Sequence, residues 1–172
     1  IESDIPENRS NDGACDSKGR LWLGTMNMAF EKGAGSLYRI SAGGSVQRKL
    51  AAVTISNGIA WSKDNRVMYY IDTPTRCIQV FDFDPDQGEI TGSREPIPVP
   101  ESLGQPDGMT IDAEGMLWVA LWGGFAVGRF DPRSGTCVAK LELPVPQVSS
   151  CCFAGPQLDH LVITTARENM PA

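Results

Sequence analysis

Three dipeptides carry the side chains best suited to chemistry in this sequence: Asp12-Gly13, Asn57-Gly58 and Asp107-Gly108. Each precedes a few apolar residues, a polar tight turn and a strongly hydrophobic stretch. The words read NDG-ACDSKGRLWLGTM, SNG-IAWSKDNRVMYYIDT and PDG-MTIDAEGMLWVALWG. Asn and Asp oxygens are hard donors of the kind that hold Ca2+, Mg2+ or Mn2+, and with less selectivity Zn2+. Taken singly, each pair is ordinary turn chemistry, because Asn, Asp and Gly tolerate left-handed backbone angles. Recurrence about every fifty residues sets these three apart. Arg9, Asn11 and Asp12 form a second polar group ahead of the first hydrophobic stretch. Arg9 suits a carboxylate or a hydroxyl, and Asn11 both donates and accepts hydrogen bonds. An ordinary polar loop has the same composition.

The elements that must position these residues are short strands. A repeat of this length, without a helical stretch between copies, is the signature of a β-propeller blade. Residues at one position of successive blades then converge on a central axis, so Asp12, Asn57 and Asp107 are expected around one opening, each at an Asn/Asp-Gly turn. Strands are expected at 20–28, 35–40, 46–53, 66–73 and 77–84, the last alternating strictly as CIQVFDFD. Residues 53–61 read as an inner segment, DPDQG as a hairpin turn, and 89–98 as an edge strand limited by Pro96 and Pro98. A third unit follows Gly108, and a fourth begins at VSSCCFAG and ends near residue 166. Eighteen glycines and twelve prolines suit many tight turns. The fold class is therefore all-β, with residues 1–172 forming a single partial β-propeller domain of about three and a half blades. Since propellers close with at least four blades, further blades or a second chain are expected to complete the ring.

Composition narrows the function. Net charge is −6 without a Lys/Arg cluster, which argues against nucleic acid as a partner. There is no run of 18 apolar residues to span a membrane, and the opening IESDIPENRS has no signal-peptide pattern. Five cysteines, odd in number, irregularly spaced and without a CxxC pair, read as free thiols in a reducing cytosol, so a cytoplasmic location is expected. Cys151 and Cys152 should face opposite sides of a strand. His160 is the one histidine, outside any triad spacing, and no GxSxG elbow is present; a serine–histidine–acid hydrolase is disfavoured. Trp22 and Trp118 occupy one position of the repeat and are expected between blades, while Trp61 and Trp122 are expected near the opening.

At the level of whole words the chain resembles the senescence marker protein/regucalcin and gluconolactonase group, which includes the luciferin-regenerating proteins. The resemblance is carried by NRSNDGACDSKGRLWLGTM, GSLYRI, ISNGIAWSKDNRVMYYIDT, QPDGMTIDAEGMLWVALWGG and VSSCCFAG, which together span nearly the whole chain. It implies a six-bladed propeller with a divalent ion at the central opening and hydrolysis of sugar lactones or related lactones and esters. The ion is held in that group by a glutamate of the first blade, the asparagine of an SNG word and the aspartate of a PDG word. The last two match Asn57 and Asp107. The substrate-contacting arginine and asparagine of the R-x-N-D-G word match Arg9 and Asn11, with Asp12 as a supporting residue and Glu31 as a loose match near the substrate. The glutamate's word is expected ahead of residue 1, and neither Glu2 nor Glu7 takes its role.

The resulting expectation is metal-assisted lactone hydrolysis. One divalent cation is held by Asn57 and Asp107, with Ca2+ preferred and Zn2+, Mg2+ or Mn2+ open. Asp107 also steers or deprotonates the attacking water, and Arg9 and Asn11 bind the sugar. The rival expectation is a non-catalytic cation-binding propeller or scaffold, or an inactive fragment.

Overall fold

Hydrophobic stretches separated by polar turns fold as antiparallel meanders. The computed structural model describes residues 1–170. The first sheet runs β1 (Asn8–Cys15), β2 (Leu21–Asn27), β3 (Gly35–Ile40) and β4 (Val46–Val53) in spatial order. The second runs β5 (Ser56–Trp61), β6 (Val67–Asp72), β7 (Cys77–Asp84) and β8 (Glu89–Ser93), with β9 (Ile97–Pro98) also pairing β7. The third is β10 (Gln105–Ile111), β11 (Leu117–Trp122), β12 (Ala126–Asp131) and β13 (Thr136–Glu142). The fourth is a pair, β14 (Val148–Ala154) and β15 (His160–Thr165). The opening strands pack in sequence, β1 on β5, β5 on β10 and β10 on β14. This is the partial propeller expected from the repeat: three blades and half of a fourth.

In the three full blades the second strand lies between neighbours, and its residues read as a largely apolar run rather than an alternation. All six residues of β6 are buried. Trp22, Leu37, Met68, Tyr70 and Phe83 fill the seam between the first two blades. Ile71, Ile78, Leu117, Val119, Leu121 and Phe130 fill the next seam. In the last, Cys151 is buried while Cys152 is exposed, on opposite faces of β14.

A repeated turn secures the far end of two blades. Asp16 Oδ1 accepts the Lys18 and Arg20 backbone N–H groups, and Oδ2 accepts Arg20 Nε at 2.7 Å and Trp22 Nε1 at 3.0 Å. Asp112 repeats the pattern with Glu114, Met116, Trp118 and Arg129. Burial pushes both carboxyls up, but the indole, guanidinium and backbone donors outweigh it and hold both below the ordinary carboxylate value. The same tryptophans pack against the next blade, Trp22 edge-on to Trp61 and Phe83, and Trp118 edge-on to Phe153. The DPDQG turn between β7 and β8 is clasped by the first blade: Arg20 donates to the Pro85 and Asp86 carbonyls, and Arg39 to those of Gln87 and Gly88.

Two expectations change. The edge strand at 89–98 divides into β8 and β9, because the chain leaves the ladder at Arg94 and rejoins β7 at Ile97. Trp61 lies at the far end of β5 from Asn57, in the seam with Trp22, and not beside the opening.

Candidate functional site

The Asn/Asp-Gly pairs are not turns. They lie inside the opening strands, where each strand slips register against its neighbour: between Ser10 and Gly13, between Ser56 and Ile59, and between Pro106 and Met109. β14 slips likewise between Val148 and Ser150. Such a bulge sets two residues against one and re-aims the extra side chain. None of Gly13, Gly58 and Gly108 has a positive φ. These positions require glycine for closeness. A Cβ on Gly58 would lie 2.6 Å from Met109 Cβ and 2.8 Å from the Asp107 carbonyl oxygen. One on Gly108 would lie 2.2 Å from Ser150 Oγ and 2.8 Å from the Ser149 carbonyl oxygen. Adjacent blades therefore touch at Gly58 and Gly108, which gathers the side chains beside them, while at Gly13 the tight neighbour is the Trp22 carbonyl of its own blade.

Arg9, Asn11, Asn57, Thr73, Asp107 and Trp122 line one pocket of about 830 Å3. Asn57 is only 6% exposed. Its Oδ1 accepts Asn11 Nδ2 at 3.0 Å, and its Nδ2 donates to Thr73 Oγ1 at 2.7 Å. Asn11 Nδ2 also donates to the Ser56 carbonyl at 2.7 Å, and Asn11 Oδ1 accepts Arg9 Nη1 at 2.7 Å. The Asp107 carboxyl is pushed up to about 7, first by burial and then by the negative charge of Asp12, against the pull of the Gly108 N–H. Burial raises Asp12 too, against its bond from Gly13 N–H. Asn57 and Asp107 each bring a hard oxygen donor to the pocket wall, and a hard cation would offset the desolvation of Asp107 and its repulsion by Asp12. Asn57 and Asp107 fit such an ion on these grounds. Among the described residues no three His, Cys, Asp or Glu side chains gather in a metal-holding group.

Other polar candidates lie elsewhere. Glu31 is exposed in the loop between β2 and β3, where Phe30 and not Glu31 lines the pocket. Glu2 accepts bonds from Asn8, Thr25 and Tyr38, and Glu7 is exposed. His160 is exposed beside Asp159. Two further depressions, around Lys63 and Glu114, lie at the opposite end of the strands among the polar turns. Sequence reasoning passed over Thr73, Gln105, Gln147 and Ser149, all on the pocket wall. For Ser149 a signal existed: Val-Ser-Ser opens the fourth unit where Ser-Asn-Gly opens the second.

The sequence profile of the SMP-30/Gluconolactonase/LRE-like region matches residues 1–167. The chain belongs to the SMP-30/gluconolactonase/LRE-like family. A family relative in Sulfolobus acidocaldarius is 49% identical over 162 residues, 94% of this chain and 59% of that protein. A Bacillus subtilis relative named "Putative sugar lactone lactonase YvrE" is 43% identical over 162 residues, 94% of this chain and 56% of its own. The solved structure of regucalcin from Agrobacterium tumefaciens, described as a calcium-binding protein, superposes with a TM-score of 0.93 at 38% identity, covering 99% of this chain and 58% of that one. The three and a half blades are thus part of the family's gluconolactonase- and regucalcin-type propeller, and the chain spans 56% and 59% of the two curated relatives' lengths.

Proposed function

We propose that the pocket binds one divalent cation, Ca2+ in preference to Zn2+, Mg2+ or Mn2+, and hydrolyses a sugar lactone or a related ester. The observation that carries this reading is the meeting of Asn57, Asp107, Arg9 and Asn11, from three blades, on one pocket. The relative named for sugar lactone hydrolysis and the calcium-binding regucalcin support it.

Asn57 and Asp107 would hold the ion, with Asn57 a neutral ligand that leaves more positive charge on it than a second carboxylate would. When bound, the ion supplies Lewis acidity, polarising the lactone carbonyl and stabilising the charge that develops as water adds. Asp107 steers the attacking water and accepts its proton. Water adds to the carbonyl carbon, the ring C–O bond breaks, and the ring oxygen leaves as a hydroxyl with the proton that Asp107 returns. Arg9 and Asn11 hold the sugar hydroxyls and fix the ring. Free thiols at all five cysteines suit a cytoplasmic setting.

Gluconolactone and a short set of aryl esters, assayed with Ca2+ and with chelator, test the reading. It expects turnover that chelator removes, and loss of both ion binding and turnover in Asp107→Ala. A second reading, a non-catalytic cation-binding propeller, draws on the likeness to the regucalcin described as a calcium-binding protein. It would be favoured by a stoichiometric bound ion with no turnover on any of these substrates.

A further inference from the structure

Thr73 contributes a hydroxyl to the pocket that neither the ion nor the sugar needs to touch. It is 5% exposed and opens the 3-10 turn Thr73–Thr75 that follows β6. Its position is set from two sides. The Thr73 N–H donates to the Ile55 carbonyl at 3.1 Å. The neighbouring Asp72 carboxylate accepts the Thr54 and Ile55 N–H groups. Both anchors hold the turn against the residues that lead into β5 and Asn57.

We propose that Thr73 is a positioning residue that locks the Asn57 amide with its oxygen toward the pocket. The proposal rests on the ion-binding reading above. A hydroxyl has one proton, and Thr73 Oγ1 directs it to the Pro106 carbonyl at 2.8 Å, a group that only accepts. Toward Asn57 the same oxygen can therefore only accept, so Asn57 must present Nδ2, at 2.7 Å. The planar amide then turns Oδ1 the other way, where it meets Asn11 Nδ2 at 3.0 Å. Asn11 in turn shows Oδ1 to Arg9, which only donates. The chain Arg9, Asn11, Asn57, Thr73, Pro106 thus has an obligate donor at one end and an obligate acceptor at the other. It runs in one direction only, and Thr73 is the link that joins the Asn57 side chain to the backbone of the residue before Asp107. Oδ1 has a second lone pair, which is left for a cation. Asn11 keeps its bond to the Ser56 carbonyl whether or not that lone pair is engaged.

Without the hydroxyl, Nδ2 loses its acceptor, and only the Asn11 bond to Oδ1 still resists the rotation that would turn the NH2 group toward the ion. Titration calorimetry with Ca2+ on the unaltered chain, Thr73→Val, Thr73→Ser and Asn57→Ala tests this, with melting temperatures recorded for each. The expected result is about tenfold weaker binding in Thr73→Val, the scale of one buried hydrogen bond. Thr73→Ser should stay within about twofold, and Asn57→Ala should lose the site. Unchanged affinity in Thr73→Val while Asn57→Ala loses binding overturns the positioning role and leaves the ion reading standing. Equal loss in Thr73→Ser and Thr73→Val also overturns it, since the serine keeps the hydroxyl. Undiminished binding in Asn57→Ala, or none by the unaltered chain, overturns the ion reading instead, and the assigned role of Thr73 with it. If Thr73→Val does not fold, the Asn57 side-chain amide protons decide, identified in NMR spectra by their loss in Asn57→Ala. Slow exchange with solvent upholds the lock, and exchange at the rate of a free amide overturns it.

Discussion

Replacing Gly58 with alanine adds one carbon at the contact between the second and third blades. That carbon would stand 2.6 Å from Met109 Cβ, 2.8 Å from the Asp107 carbonyl oxygen and 2.9 Å from the Met109 nitrogen. Two of these atoms are backbone and the third is bonded to it, so no flexible side-chain end can swing aside. The blades must part by several tenths of an ångström. Overpacking of this kind costs about 1–3 kcal/mol, and the stiffer unfolded chain of alanine returns about 0.4–1 kcal/mol. A net loss of about 1–2 kcal/mol corresponds to a melting point lower by about 2–8 °C at this chain length. Gly43 is the control: its added carbon meets nothing within 4 Å and its φ is not positive, so Gly43→Ala should stay within about 0.5 kcal/mol of the unaltered chain. Asn at position 58 separates closeness from turn geometry. A left-handed turn would tolerate it better than alanine, whereas the bulge contact should reject it more strongly. Thermal unfolding of the three variants decides. A Gly58→Ala melting point within about 1 °C of the unaltered chain, or Gly58→Asn more stable than Gly58→Ala, refutes the reasoning.

Three other outcomes follow from the same packing and electrostatics. Trp22, fully buried between Trp61 and Phe83, should cost about 3–5 kcal/mol as alanine, and the half-buried Trp118 distinctly less, measured by urea unfolding. The Asp16 and Asp112 carboxyls are held low, so their stabilisation is complete above about pH 4, the unfolded value, and is lost as pH falls through their lower folded values. A double Asp16→Asn, Asp112→Asn variant should therefore melt lower at neutral pH but lose less on acidification, and an equally steep acid loss would contradict this. Asn11→Ala should raise KM for a lactone several-fold while Ca2+ affinity changes little, since the Asn57 orientation is held from the Thr73 side; equal loss of both in calorimetry and kinetics would place Asn11 on the ion instead.

The repeat made the blades legible because each opening word carries its own glycine and is followed by an uninterrupted apolar strand, VMYYID or LWVALW, that can only be a middle strand. The same words misled on local geometry. Asn-Gly and Asp-Gly satisfy both a left-handed turn and a glycine at a tight seam, and only the neighbouring blade distinguishes them: the atom that excludes a Cβ at Gly58 belongs to residue 109. That Asn57 and Asp107 line the pocket was legible because they stand beside those glycines. That Thr73 lines it too was not, because its hydroxyl is held by the Pro106 carbonyl 33 residues away, and no local pattern encodes that contact. Trp61 was misplaced for a related reason: four residues past Asn57 along an extended strand carries it to the opposite end of the blade, into the seam with Trp22.

A crystal of the chain grown with Ca2+ offers the most direct test, through the anomalous signal of the ion. The proposed site predicts one peak about 2.3–2.6 Å from both Asn57 Oδ1 and an Asp107 carboxylate oxygen. A peak held by other residues, or ordered electron density for both side chains with no peak at saturating Ca2+, would contradict it.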